Sequence, residues 1–250
     1  MLNRGIDNIY ENDFKSQEHF INVICREVRS MCPNLLFKLK AFYVPNPEYM
    51  KLYFGTEITY SNYDCYDING NCKWTGHLLI PIYDMDGNVR GFTGYNPAVT
   101  LNKGENEVLN KMSKYKESSK YVLDKSKFGL CPLGFEKAIN DKYIVVTDGV
   151  FDAINVADCG FNSFCLLGSS LTDELQFCLS FIDVIYVASD NDEAGLNLLR
   201  TVKNKFPKVY PIRQNKYKDI DAFIKNHREE FIAQMNHIHD KIKMPIFLRC

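Results

Sequence analysis

Three pairs of aspartates have spacings that suit divalent-cation chemistry. They are Asp148 and Asp152 in Thr147-Asp148-Gly149-Val150-Phe151-Asp152, Asp190 and Asp192 in Ser189-Asp190-Asn191-Asp192-Glu193-Ala194-Gly195, and Asp219 and Asp221 in Tyr217-Lys218-Asp219-Ile220-Asp221. Each pair follows an apolar run of strand length. In an open α/β sheet, the loops after strand C-termini converge on one edge, where ligands bind. Carboxylates gathered there repel one another unless a cation lies between them, and Mg²⁺, a hard ion that takes oxygen ligands, meets that need. A calcium EF-hand starting at Asp190 is excluded. Its fifth and twelfth positions require an oxygen ligand and a glutamate, and here they are Ala194 and Thr201.

The elements that must carry these acids are legible in the hydropathy pattern. Strands are predicted at 143–147, 163–167, 184–189 and 208–212, with helices at 151–158, 174–181, 193–206 and from 221 to about 235. Thr172 or Asp173 can cap the second helix, and Glu193 suits the first turn of the third. Gly149 and Gly195 are expected to allow close backbone approach. Strands alternating with helices indicate a parallel sheet. Upstream, the pattern changes. Phe14 to Met31 is helical, with Phe20, Ile21, Val23, Ile24 and Val28 on roughly one face. Leu78 to Tyr83 and Val89 to Phe92 flank an Asp-Gly turn and predict a hairpin. The fold class is therefore α/β: an α+β N-terminal subdomain over 1–140, a Rossmann-like parallel-sheet domain over 141–225, and a helical tail over 226–250.

Charge is unevenly spread in a chain of 250 residues whose net charge is −1. From Asp141 to Gly195 there are ten acids and one base, Lys142. From Leu101 to Lys127 there are seven lysines and four acids. An acidic pocket beside a basic stretch suits a metal-dependent enzyme acting on a polyanion. Nine cysteines at scattered positions form no disulfide framework. Six residues separate Cys25 from Cys32, and six separate Cys65 from Cys72, wider than structural zinc spacings, so no zinc is expected and buried free thiols are. Neither a secretory signal nor a run of about 20 apolar residues is evident, which predicts an intracellular protein with no membrane partner.

Taken together, Asp148-Gly149-x-x-Asp152, Asp190-x-Asp192-x-x-Gly195 and Lys218-Asp219-x-Asp221 resemble the TOPRIM domain. Gly168-Ser169-Ser170-Leu171-Thr172 is similar to the Gly-Thr-Ala-Leu-Thr segment of DnaG-type bacterial and phage primases. Further upstream, three stretches resemble primase motifs in the same order: Ile80-Pro81-Ile82 through Val89, Gly91 and Phe92; Lys114-Tyr115 with Ser118; and Phe128-Gly129-Leu130. The resemblance covers about residues 75 to 225. Three positions depart from it. Asp148 replaces a glutamate, and Tyr95 and His77 each replace an arginine. The expectation is therefore a core without the family's Cys/His ribbon or helicase-docking domain, and no P-loop motif occurs in these residues.

This resemblance implies a primase catalytic core that makes short RNA primers on single-stranded DNA from NTPs by metal-dependent nucleotidyl transfer. It implies two or more Mg²⁺ or Mn²⁺ ions, with Asp148, Asp190 and Asp192 as the catalytic ligands and Asp152, Asp219 and Asp221 completing the metal set. Arg90, Lys114, Tyr115, Lys120, Lys125 and Lys127 are the candidate contacts to template or NTP, with Trp74 and Tyr95 as further candidates for base stacking. A replicative helicase or other replication protein is the implied partner, and the bacterial cytoplasm the implied location, with a phage or plasmid origin. Two alternatives remain open: a TOPRIM nuclease or topoisomerase-like strand cleaver, and a degenerate primase-like protein that only binds single-stranded nucleic acid.

Overall fold

The computed structural model describes residues 2–47, 49, 72–100, 107–113, 121–123, 129–167, 171–212, 214 and 217–243. The chain divides into two compact units, Met1–Glu136 and Lys137–Cys250.

The first unit is built on an antiparallel sheet. Helix α1 (Leu2–Val23) continues into a π-helical turn (Ile24–Arg29), followed by the short α2 (Asn34–Lys38). Strands β1 (Phe42–Tyr43), β2 (Leu78–Tyr83), β3 (Val89–Tyr95) and β4 (Tyr121–Leu123) lie in the order β1-β2-β3-β4. Helix α3 (Glu107–Ser113) precedes β4. The predicted hairpin is present, and Asp84 closes its turn. Asp84 Oδ1 accepts from the N–H groups of Asp86 and Asn88 at 3.0 and 2.8 Å, while Gly87 takes the left-handed conformation at φ +78°. Pro81 cannot donate to a ladder. Among the described residues β1 flanks only Leu78 and Leu79, so Pro81 stands where that side of β2 is an edge. Buried Gln17 lies along β1. Its side-chain amide accepts from Tyr43 N at 2.6 Å and donates to Tyr43 O at 3.0 Å, as a neighbouring strand would. Ile6, Ile9, Phe42, Trp74, Leu79 and Phe92 form the core.

The second unit begins within α4 (Phe135–Asp141). Its strands are β5 (Tyr143–Thr147), β6 (Ser163–Cys165), β7 (Val184–Ala188) and β8 (Val209–Pro211), all parallel and in the order β6-β5-β7-β8. Every residue of β5 and β7 is buried, as expected for strands covered on both faces. The connecting helices are α5 (Val150–Asp158), α6 (Asp173–Leu179) and α7 (Glu193–Lys205), and α8 (Ile220–Lys243) closes the unit. Residues 226–243 continue α8 and bury Phe231 and Met235 in the same core as Val145, Tyr186 and Phe223. Cys165 and Cys178 are buried free thiols here, as are Cys25 and Cys72 in the first unit.

Candidate metal centre

The chain leaves β5, adds β6 on one side, and then crosses to β7 on the other. The order therefore reverses between β5 and β7, which makes their C-terminal ends the switch point where open α/β sheets bind ligands. Asp148 follows β5 directly, and Asp190 lies two residues beyond β7. Asp152 sits in the first turn of α5 and returns to the same place. Carboxylate oxygens of Asp148, Asp152 and Asp190 lie within 4.8 Å of one another. This donor set of close carboxylates fits a hard divalent ion.

The electrostatics follow from this crowding. Burial pushes the Asp152 carboxyl up to about 7, with the Asp221 backbone N–H opposing and the charges of Asp221, Asp219 and Asp148 adding to the rise. Burial also pushes Asp190 up to about 6, reinforced by Asp148 and Asp219 and opposed by Lys218. Asp148 is raised as well, chiefly by burial, although backbone N–H groups of its own loop and of Asp190 partly offset this. Without a cation these three acids hold their protons more tightly than free carboxylates do.

Two glycines let the loops approach this closely. A Cβ on Gly149 would stand 2.0 Å from Asp152 Oδ2, and one on Gly195 would stand 2.0 Å from the Asp190 carbonyl oxygen. The close backbone approach expected of these glycines is present at Gly195, whereas at Gly149 the near atom is a side-chain oxygen. Glu193 begins α7 as expected, and Thr172 caps α6 by accepting from Leu175 N.

The other predicted ligands occupy the rim in different ways. Asp192 caps α7, its Oδ1 accepting from Gly195 N at 2.9 Å, and its charge reaches Asp148. Asp219 Oδ1 accepts from Ala222 N at 2.8 Å in the first turn of α8. Asp221 donates its backbone N–H to Asp152 Oδ1 at 2.9 Å, while its carboxylate accepts from Asn155 Nδ2 and from Lys225 Nζ. Among the described residues, the tight group contains Asp148, Asp152 and Asp190 and leaves Asp192, Asp219 and Asp221 outside it.

Several supporting residues were not singled out from sequence. Asn191, inside the Asp190-x-Asp192 segment, donates its backbone N–H to Lys218 O at 3.0 Å and its side-chain amide to Tyr217 O at 2.6 Å, tying the second acidic loop to the third. Gln214 donates to Ser189 O at 2.6 Å. Cys165 donates its thiol to Asp148 O at 3.2 Å from the end of β6. An amide inside the acidic motif was a usable signal for Asn191. Nothing in the sequence marked Asn155, Gln214, Cys165 or Lys225.

Of the proposed nucleic-acid and NTP contacts, Lys114, Tyr115, Lys120, Lys125 and Lys127 lie outside the described residues. Arg90 is half-exposed, and its Nε meets Asp84 Oδ2 at 2.6 Å. Trp74 and Tyr95 are buried in the first unit and have no face open for a base. His77 is buried too, with Nδ1 3.0 Å from Thr75 O. No helix among the described residues is long and apolar enough to cross a membrane.

Residues 145–224 match the family described as Toprim-like. Among curated proteins, none matches the chain in sequence. Solved structures do match in fold. The Aquifex aeolicus primase, comprising zinc-binding and RNA polymerase domains, is 21% identical with a TM-score of 0.66, covering 94% of this chain and 59% of that one. A DnaG catalytic core is 16% identical with a TM-score of 0.65, covering 95% and 80%. A DnaG primase catalytic domain bound to single-stranded DNA is 16% identical with a TM-score of 0.64, covering 94% and 80%. The chain thus spans just over half the length of the Aquifex protein. The matched segment is the one that carries the carboxylate cluster, so the chain bears a Toprim-like domain at residues 145–224 within the fold of the DnaG primase catalytic core.

Proposed function

We propose that this chain is a DNA primase catalytic core that joins ribonucleotides on a single-stranded DNA template. The observation that carries the reading is the convergence of Asp148, Asp152 and Asp190 within 4.8 Å at the switch point of a Toprim-like sheet. Primer extension joins the 3′-hydroxyl of one nucleotide to the α-phosphate of the next and releases pyrophosphate, so the protein's work is positioning and charge neutralisation. Asp148, Asp152 and Asp190 are the residues to hold Mg²⁺ or Mn²⁺, with Asp192 facing them from the cap of α7. Two such ions, when bound, neutralise the attacking and leaving oxygens. Gly149 and Gly195 keep the loops close enough for the carboxylates to converge. Arg90, Lys114, Lys120, Lys125 and Lys127 supply salt-sensitive contacts to template or triphosphate, and Tyr115 stacks on a base. A replicative helicase is the class of partner this reading implies, in a bacterial cell and on a phage or plasmid replicon.

The test is incorporation of labelled NTPs on a panel of single-stranded templates, scanned over divalent ions. Primer-length products are expected, and they should vanish in Asp190→Ala and Asp192→Ala variants whose circular dichroism is unchanged. Nicking of plasmid with Mg²⁺ but no NTP, in the absence of primer synthesis, would identify a strand cleaver instead.

A further inference from the structure

Asp152 and Asp221 are linked in a way that separates their roles. Asp152 is the most deeply set of the three clustered acids, and one of its oxygens is already engaged: Oδ1 accepts the backbone N–H of Asp221 at 2.9 Å. That N–H belongs to the first turn of α8, where helix amides have no partner within the helix and the dipole favours a negative group. The Asp221 side chain turns away to a different set of partners. Asn155, buried three residues beyond Asp152 on α5, donates its Nδ2 to Asp221 Oδ1. Lys225, one turn further along α8, donates its Nζ to Asp221 Oδ2 at 2.8 Å. Both carboxylate oxygens of Asp221 therefore meet donors from the protein, and the bond from Asn155 ties α5 to the start of α8.

We propose that Asp221 is a positioning residue rather than a metal ligand: Asn155 and Lys225 anchor its carboxylate, and the anchored backbone N–H holds Asp152 in the orientation that presents it to a cation. The role rests on the metal-binding reading of the site. Asn155 is the distinctive part. It is a neutral amide that lies beyond the Asp148-to-Asp152 motif, yet it holds the third acidic pair in register with the first. The amide satisfies one oxygen of Asp221 without adding charge, and Lys225 pairs with the other at 2.8 Å, while the Asp221 charge still adds to the rise at Asp152.

Titration of the whole chain with Mn²⁺, followed by electron paramagnetic resonance of the free ion, tests this independently of primer synthesis. Asn155→Ala and Asp221→Ala are each expected to weaken Mn²⁺ binding about tenfold, the low end of what removing an outer hydrogen-bonding partner costs. Asp221→Asn keeps the backbone N–H and an oxygen for Asn155, and should bind the same number of ions within about threefold of the unmodified affinity. Loss of a bound equivalent in Asp221→Asn would make Asp221 a ligand and overturn the proposal, as would Asn155→Ala binding like the unmodified chain. If Asn155→Ala does not fold, Asn155→Ser replaces it under the same expectations, with melting curves run on each variant. A chain that binds Mn²⁺ as described but makes no primers would sink the proposed function and leave this assignment standing; a chain that binds no Mn²⁺ would end both.

Discussion

Asp152 Oδ2 packs against Gly149, with 2.0 Å between that oxygen and the place a Cβ would occupy. The second glycine, Gly195, faces the backbone carbonyl of Asp190 at the same distance. The two close approaches differ in what can move, because a carboxylate can rotate whereas a backbone carbonyl takes its loop with it. Gly149→Ala should therefore lower Mn²⁺ affinity at least tenfold with a small change in melting temperature. Gly195→Ala should distort the Asp190 loop, costing about 1–3 kcal/mol of stability as overpacking does, and ion binding as well. Paired thermal melts and Mn²⁺ titrations check both.

The raised carboxyls make stability depend on pH in a definite direction. Folded Asp152 and Asp190 hold protons up to about 7 and about 6, whereas in the unfolded chain they release them near the ordinary 3.8. More protons are bound to the folded state in that interval, so stability falls as pH rises through it. The stabilisation from these two groups is complete below pH 3.8 and is lost as pH passes about 6 and then about 7. Metal-free protein should melt at a higher temperature at pH 5 than at pH 8, and Mg²⁺ at pH 8 should restore the difference by binding the folded state. Melting temperatures that climb from pH 5 to pH 8 without metal would contradict this account.

Asp192 combines a cap with a charge, and the two can be separated. Asparagine is as good an N-cap as aspartate, whereas alanine costs about 1 kcal/mol. Asp192→Asn should melt like the unmodified protein and still lose NTP incorporation by at least a hundredfold. Asp192→Ala should lose incorporation and stability together. Activity retained in Asp192→Asn would restrict the residue to capping α7.

Lysines that neutralise phosphates leave a signature in salt dependence. Replacing Lys114, Lys120, Lys125 and Lys127 together with alanine should weaken single-strand binding and flatten its logarithmic salt slope by about 0.7 for each phosphate no longer neutralised. An unchanged slope, measured by fluorescence anisotropy across a salt series, would remove these lysines from the template path.

Much of the second unit was readable from residue order because its signals are local. The apolar run at 143–147 is a strand with those same bounds, the run at 184–189 is a strand that ends one residue earlier at Ala188, and Glu193 and Thr172 start and cap helices where charge and side-chain chemistry favour them. Strand ends placed Asp148 and Asp190, since a parallel sheet sends its C-terminal loops to one edge. What residue order did not reveal was which carboxylates meet. Asp152 reaches the cluster because α5 folds back over β5, and Asp221 turns aside because Asn155, 66 positions earlier, bonds it. Trp74 and Tyr95 are packed in the core because burial depends on the whole sheet rather than on a residue's neighbours in the chain. Local propensity and alternation are written in successive residues, so the Toprim-like framework and its acidic loops could be read along the chain. The partner of a buried polar atom comes from wherever the fold brings a donor, so three-dimensional packing alone chose which acids face one another and which are held by the protein.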